Sequence, residues 1–561
     1  MTKIFKLISL TLTFLIVIAF CFWLTVKLKQ KVLVENSIKC DSFFPVIDIP
    51  VEISDKYLIL DNGQIVFSVN DSNGFFLKMY FSGAIDELMP REKNLFNPIL
   101  IAREISAIQD LNGNEEFILT SIKLQEYIGT NTVRSIYSFQ QGYLVVIQFA
   151  NDQNLYLIDL KNDTKKKVIS ISQKLNSVLF CEKKNSLIIS YDDKLILFDT
   201  LTDSIITLAD NLDGEKLNFY IYNDYAYFAN NGRSEYYQIF RIDLNNPKQF
   251  DAEKPFFTQE HDLRLPKAID NFLYFIEIIK SEYILKRINL QTLEIENITQ
   301  NGVVYNYDFL SGGQIVMVYS DLTTPKSLIL FNENNRSLEN ITGSKVDYDL
   351  TSTFIKSPKN NSSAYILQRA NTAVAVKGVI LFIRPGIQSD FSPRWDDILM
   401  NLVNNGYVIL SPNYPMSTGY GKSFLNSSFQ DAMKDIIEWK KHLQKQYKGI
   451  PLYCLSMSSG NLFMEELLAQ NNKGIKAAVS LFGIPVAPNR KSFSVPTLYI
   501  LGENDPKVNF YNRYSMLQEY QKKHSSISII SYSDEGHWFR EKENKQNAIS
   551  EIIKHFCIYL K

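Results

Sequence analysis

The sequence predicts a β-propeller followed by an α/β domain built on a mostly parallel sheet, with a membrane-spanning helix in front of both. Three observations predict it: an uncharged apolar stretch at the N-terminus, a phrase recurring at a nearly constant period before residue 350, and an alternation of strand and helix patterns after it. At 561 residues the chain is too long for one ordinary core. Apolar residues make up 45% and charged residues 21%, the composition of a folded protein with large cores. The formal net charge of −1 argues against a binder that neutralises nucleic-acid phosphates, and no nucleic-acid partner is expected.

Between Ile4 and Val26 only Lys6 is charged, and the 20 residues from Leu7 to Val26 carry no charge, enough to cross the hydrocarbon core as a helix. A cleaved signal peptide would have a shorter apolar region and small residues before the cut, whereas "VIAFCFW" offers bulky ones, and Phe20 before Cys21 fits poorly with lipoprotein cleavage. Residues 1–30 are therefore read as a single-span anchor. Lys3 and Lys6 precede the span while Lys27, Lys29 and Lys31 follow it, and charge counting alone would leave the body inside. A leading span on a long globular chain is most often an export device, so a single-pass protein with an extracytoplasmic body is expected. The cysteines (Cys21, Cys40, Cys181, Cys454, Cys557) are scattered without a CxxC pair, so neither a zinc site nor a disulfide framework is expected.

The propeller is assigned to 31–350. Short alternating strands broken by Asn, Asp and Gly clusters fill this region, and long helical patterns are absent. "LYLIDLKND", "LILFDTLTD", "IFRIDLNNP", "LKRINLQTL" and "LILFNENNR" are versions of one phrase, and their turn residues Asp159, Asp199, Asp243, Asn289 and Asn332 are 40, 44, 46 and 43 apart. Four-stranded propeller blades produce such a period. Room for two more units before residue 150 makes the expected total about seven.

The α/β domain is assigned to 351–561. "GVILFI" (378–383) reads as a buried strand, "RWDDILMNLVNNG" (394–406) as a helix stopped by Gly406, and "YVILSP" (407–412) as a strand. An amphipathic helix (431–447), strand 450–455, a helix from about 460, and strands 477–482 and 497–502 follow, closed by a helix over 547–560. Such alternation builds a parallel sheet covered by helices on both faces.

Three strand ends in this domain carry, in order, a Ser, an Asp and a His, the order found in α/β-hydrolases. "LYCLSMSSGNLF" holds three serines where a strand gives way to a helix. A nucleophile elbow needs small residues two before and two after the serine, and Ser458 has Ser456 and Gly460 there; Ser456 would have Cys454 and Ser458, with no glycine in the turn. The apolar helical phase of Leu462, Met464, Leu467 and Leu468 also favours Ser458. Alone, the stretch would read first as a Ser-rich helix N-cap with no chemistry, because SxSxG departs from GxSxG. It is joined by "GENDPKV", with Asp505 just past an apolar strand, and by "DEGHWF", with His537 directly behind Gly536 after another strand. His261, His442, His524 and His555 have no comparable setting.

With "NYPMSTGYGKSF" (413–424), "SMSSGN" (456–461), "GENDPKV" (502–508) and "DEGHWF" (534–539), the C-terminal 200 or so residues resemble the catalytic domain of the prolyl oligopeptidase family of serine peptidases, whose members pair a β-propeller with an α/β-hydrolase domain. The resemblance implies Ser458 as nucleophile, Asp505 as the acid and His537 as the base, with peptides as substrates. The backbone N–H groups of Ser459 and of Gly386, in "RPGIQS" (384–389), would then hold the oxyanion. Arg384, Pro385 and Ile387 depart from the His-Gly-Gly-Pro-like segment of the family at that loop. Between Ser458 and Asp505, where the family has a long segment, only "LFGIPVAPNRKSFSVP" joins strand 477–482 to strand 497–502, and Ser459 replaces an aromatic residue, so a proline-selective, aromatic-walled pocket is not implied. No HExxH or phosphate-binding glycine loop is present, and no metal or organic cofactor is expected. An esterase with the same triad and a catalytically impaired binding protein on the same scaffold are the alternative readings.

Overall fold

The computed structural model describes the chain from Glu52 to Leu560 with breaks, the longest at 88–94, 211–218 and 484–494. The expected anchor over 1–30 lies outside the described residues, and among these no helix is long and apolar enough to cross a membrane.

Seven antiparallel units follow one another at 52–87, 95–118, 133–170, 175–209, 220–243, 262–297 and 303–340. Among the described residues five of them have four strands and two have three; the last two are joined by a single bridge between Tyr283 and Val303. The recurring phrase proves to be a turn. The side chains of Asp159, Asp199, Asp243, Asn289 and Asn332 each accept a hydrogen bond from the backbone N–H two residues on, at 2.8–2.9 Å. Four residues after four of these, Asp163, Asp203, Leu293 and Arg336 take φ between 55° and 61°, which reverses the chain into the outer strand. A helix at Ile122–Ile128, which the sequence pattern did not indicate, sits between the second and third units.

First and last units close the ring without a shared strand. Ile53, Ile65, Phe67 and Val69 pack with Val316, Val318, Leu328 and Leu330 in one buried cluster. Ile53 N–H donates to Lys326 O at 3.1 Å.

In the α/β domain the strands are β1 (Leu350–Lys356), β2 (Ser363–Arg369), β3 (Gly378–Ile383), β4 (Tyr407–Asn413), β5 (Leu452–Met457), β6 (Ile475–Leu481), β7 (Thr497–Gly502) and β8 (Ile527–Tyr532). Their order across the sheet is β1-β2-β4-β3-β5-β6-β7-β8, antiparallel through the β2–β4 pair and parallel from β4 onward. The β1–β2 hairpin was not apparent in the sequence pattern. Helices α1 (Asp397–Asn404) and α5 (Lys542–Ile558) cover one face, α2 (Phe429–Gln446) and α3 (Gly460–Gln470) the other, and α4 (Phe510–Lys523) packs near the β8 edge. Period-two alternation decides the division: Ile380 and Phe382 of β3 join the first core, Val379, Leu381 and Ile383 the second. At the start of α1 the Asp396 carboxylate accepts from the N–H groups of Ile398 and Leu399, and the chain leaves that helix through Gly406 at φ 89°.

The segment 413–424 that carried part of the family resemblance docks on the propeller. Asn413 donates to Ser281 Oγ at 3.0 Å, Lys422 Nζ to Gly232 O at 2.9 Å, and Ser423 to both oxygens of the Glu235 carboxylate at 2.8 Å. Cys181 of the propeller and Cys454 of β5 are free and buried. Cys557 on α5 is disulfide-bonded, a single bond rather than a framework, and sequence spacing does not reveal which cysteines folding brings together.

Phe67, 1% exposed, lies in the cluster that closes the ring. Phe67→Ala is expected to cost about 3–5 kcal/mol, and limited proteolysis should then cut the first unit before it cuts the α/β domain. Cleavage in the α/β domain first would contradict this account of ring closure.

Candidate active site

Three strand ends on one edge of the sheet build the site. At the first, β5 stops at Met457, Ser458 turns the chain at φ 50°, and α3 begins at Gly460. The left-handed conformation is unfavourable for a residue with a side chain, on the order of 1–3 kcal/mol, and such strain persists only where its surroundings impose it. Here Ser458 N–H donates to Leu481 O of β6 at 2.8 Å. Gly460 then passes so close to the end of β3 that a Cβ would stand 2.3 Å from Ile383 O and 2.5 Å from Arg384 O.

The three serines separate clearly. Ser456 lies within the sheet, paired in register with Ile383 and Ser480, and is fully buried. Among the described residues the buried Ser459 hydroxyl has no hydrogen-bond partner. Ser458 Oγ is 2.8 Å from His537 Nε2.

His537 Nδ1 lies 2.8 Å from Asp505 Oδ2, and both side chains are nearly buried. With Nδ1–H donating to the carboxylate, Nε2 is left as acceptor for the Ser458 hydroxyl. Asp505 is also a turn residue, since its other oxygen accepts from the N–H groups of Lys507 and Val508 at 2.8 and 3.0 Å. That pair of bonds holds the carboxylate in one orientation.

The loops bearing Asp505 and His537 meet at a second glycine. A Cβ on Gly502 would stand 2.0 Å from Gly536 O and 2.6 Å from Glu535 O. The fully buried Glu535 carboxylate accepts from the N–H groups of Arg540 and Glu541 and from Asn544 Nδ2, at 2.6, 3.1 and 2.9 Å, tying the His537 loop to the start of α5. On α4, buried Arg513 brings a positive charge toward Glu465, Tyr499 and Asp505; burial draws its pKa down against their opposing pull.

The loop after β3 carries the other expected donor. Among the described residues neither Ser459 N–H nor Gly386 N–H has a partner within the chain, and Pro385 has no N–H to offer. Arg384, only 2% exposed, folds back over this loop. It donates to Gly386 O, to Ser389 Oγ at 2.7 Å and to Ser417 Oγ at 2.6 Å, and stands 4.5 Å above the Tyr414 ring. The departure from the family's segment thus has a structural role, which the sequence alone did not disclose. Phe482 and Trp538 lie 6.4 and 5.1 Å from the His537 ring, so the imidazole has aromatic neighbours although none follows the serine.

The Dienelactone hydrolase family model matches residues 364–554. Solved structures match both domains together. A puromycin-hydrolyzing peptidase from Mycobacterium tuberculosis is 12% identical over 93% of this chain and 98% of its own, with a TM-score of 0.72. This is the fold of the prolyl oligopeptidase family. An acylaminoacyl peptidase from Pyrococcus horikoshii (12% identity, 90% of this chain and 95% of its own, TM-score 0.63) and oligopeptidase B from Leishmania major (10%, 95% and 89%, TM-score 0.68) share it. At these identities the likeness to prolyl oligopeptidase family structures is one of fold. Comparison with curated protein sequences gives no match.

Gly502→Ala is expected to drive the His537 loop away from β7. The variant should melt at a lower temperature, and its crystal structure should show His537 Nδ1 outside hydrogen-bond distance of Asp505; an undisturbed pair would refute the close-approach argument.

Proposed function

We propose that this protein is a serine peptidase that hydrolyses short peptides through an acyl-enzyme intermediate. The observation that carries the reading is the unbroken chain from Ser458 Oγ through the His537 ring to the Asp505 carboxylate, with 2.8 Å at each link. His537 takes the hydroxyl proton as Ser458 attacks a carbonyl, and Asp505 steadies the imidazolium that forms. The negative oxygen of the tetrahedral intermediate is received by the N–H groups of Ser459 and Gly386, and Ser459 sits at the N-terminal end of α3, where helix N–H groups point outward. His537 then returns its proton to the leaving amine, and water releases the acyl group by the same steps in reverse. The structural neighbours, which include peptidases, support peptides over simple esters. The propeller packed over the α/β domain supports small substrates over folded proteins.

We further propose a single-pass anchor at the N-terminus with the body extracytoplasmic. The uncharged run from Leu7 to Val26 supports the anchor, and the Cys557 disulfide supports an oxidising compartment. Protease added to intact cells should degrade the body, and protection of the body would refute the orientation.

A fluorophosphonate probe should label the wild type and Ser456→Ala but not Ser458→Ala. Asp505→Asn should retain the fold and lose about 10⁴-fold in kcat on a dipeptidyl amide. A well-folded wild type that resists the probe would favour the binding-protein reading, and hydrolysis of esters alone would favour the esterase.

A further inference from the structure

A cavity of about 660 Å³ lies where the propeller faces the α/β domain. Its wall includes residues from the first strands of several propeller units, among them Arg264 of the sixth and Val303, Val304 and Tyr305 of the seventh, and the α/β domain contributes Arg394. Contacts between first strands of neighbouring units place those strands around the axis, so the cavity lies at the mouth of the propeller channel. The volume suits a short stretch of peptide rather than a folded partner.

Two guanidinium groups line this one space. Arg264 stands 5.3 Å over the Tyr237 ring and Arg394 5.7 Å over the Tyr305 ring. Among the described residues neither guanidinium makes a hydrogen bond or an ion pair, and Arg264 Nε is a fully buried donor with no acceptor. Asp262 and Asp390 attract Arg264, and Asp390 and Asp396 attract Arg394, but among the described residues none of these carboxylates hydrogen-bonds a guanidinium. Asp262 accepts from Tyr237 N–H at 2.9 Å, Asp390 from Tyr283 Oη at 2.8 Å and Thr418 Oγ1 at 3.0 Å, and Asp396 caps α1. Arginine does not shed its proton, so two fixed positive charges face a partly dehydrated space with their forked donors unused. That is the preparation a carboxylate requires.

Resting on the peptidase reading above, we propose that Arg264 and Arg394 together receive a carboxylate of the peptide substrate. The loop from Gly386 to Arg394 runs from the expected oxyanion donor to this anion site, so the two are joined by one short segment of chain. A C-terminal carboxylate suits a cavity of this size, and an acidic side chain carries the same chemistry.

Binding to the Ser458→Ala protein tests this without turnover. Isothermal titration should show the tripeptide Ala-Ala-Phe binding about 10- to 100-fold more tightly as the free acid than as its C-terminal amide. An amidated Ala-Ala-Asp that matches the free acid would assign the site to a side-chain carboxylate, and one that binds like the amide would assign it to the chain end. Arg264→Gln and Arg394→Gln should bring the acid down to the level of the amide, whereas a purely structural role would weaken both alike. Equal affinity of the Ala-Ala-Phe acid, its amide and amidated Ala-Ala-Asp for Ser458→Ala overturns the proposal. Failure of the wild type to react with the fluorophosphonate would instead overturn the peptidase reading, because the binding comparison does not depend on it.

Discussion

The corner at Ser458 is the constraint on which the site depends. Its positive φ lifts the hydroxyl out of the plane of β5 and toward His537, and the corner exists because Leu481 O holds its N–H while α3 is pressed against the end of β3 at Gly460. The strain at one residue is small beside the burial on either side of it. Strands β3, β5 and β6 are almost wholly enclosed, and each buried aliphatic side chain contributes about 1.5–3 kcal/mol relative to exposure. The sheet is therefore stiff where the serine leaves it, and the hydroxyl needs no rearrangement to meet the imidazole.

The same logic governs the relation between the domains. Segment 413–424 leaves β4 next to the first core strand and lies against propeller residues 232–235 and 281, so the position of the propeller is registered on the central sheet rather than on a linker. The Tyr365 hydroxyl donates to Lys280 O at 2.6 Å, adding a bond from β2 itself. The cavity wall is consequently a joint product of two domains whose contacts are polar and specific, of the kind that fix orientation more than they add stability.

Much of this was legible in the sequence because it rests on local patterns. The β3, β5 and β7 strands are unbroken apolar runs, and Ser458, Asp505 and His537 each stand at a strand end in a stretch rich in small or turn-forming residues. The propeller period was visible because each aligned Asp or Asn makes a turn with its own backbone, a bond that depends only on neighbours in sequence. What was missed depends on distant partners. Nothing adjacent to Arg384 indicates that it knits its loop to Ser417, and nothing in "RLPKA" or "SPRWD" indicates that two arginines 130 residues apart face one space. The β1–β2 hairpin escaped notice because β1 is half exposed and rich in Thr and Ser.

The two free thiols among the described residues have a use of their own. Cys454 sits in β5 under the elbow, fully enclosed, with burial pushing its pKa up to about 12, and Cys181 lies inside the propeller, where burial raises its pKa as well. A neutral, enclosed sulfur is inert toward alkylating reagents until its surroundings open. Each domain thus carries its own clock: the rates at which iodoacetamide reaches the two positions would time the loosening of the ring and of the central sheet separately, within one molecule and without any added label.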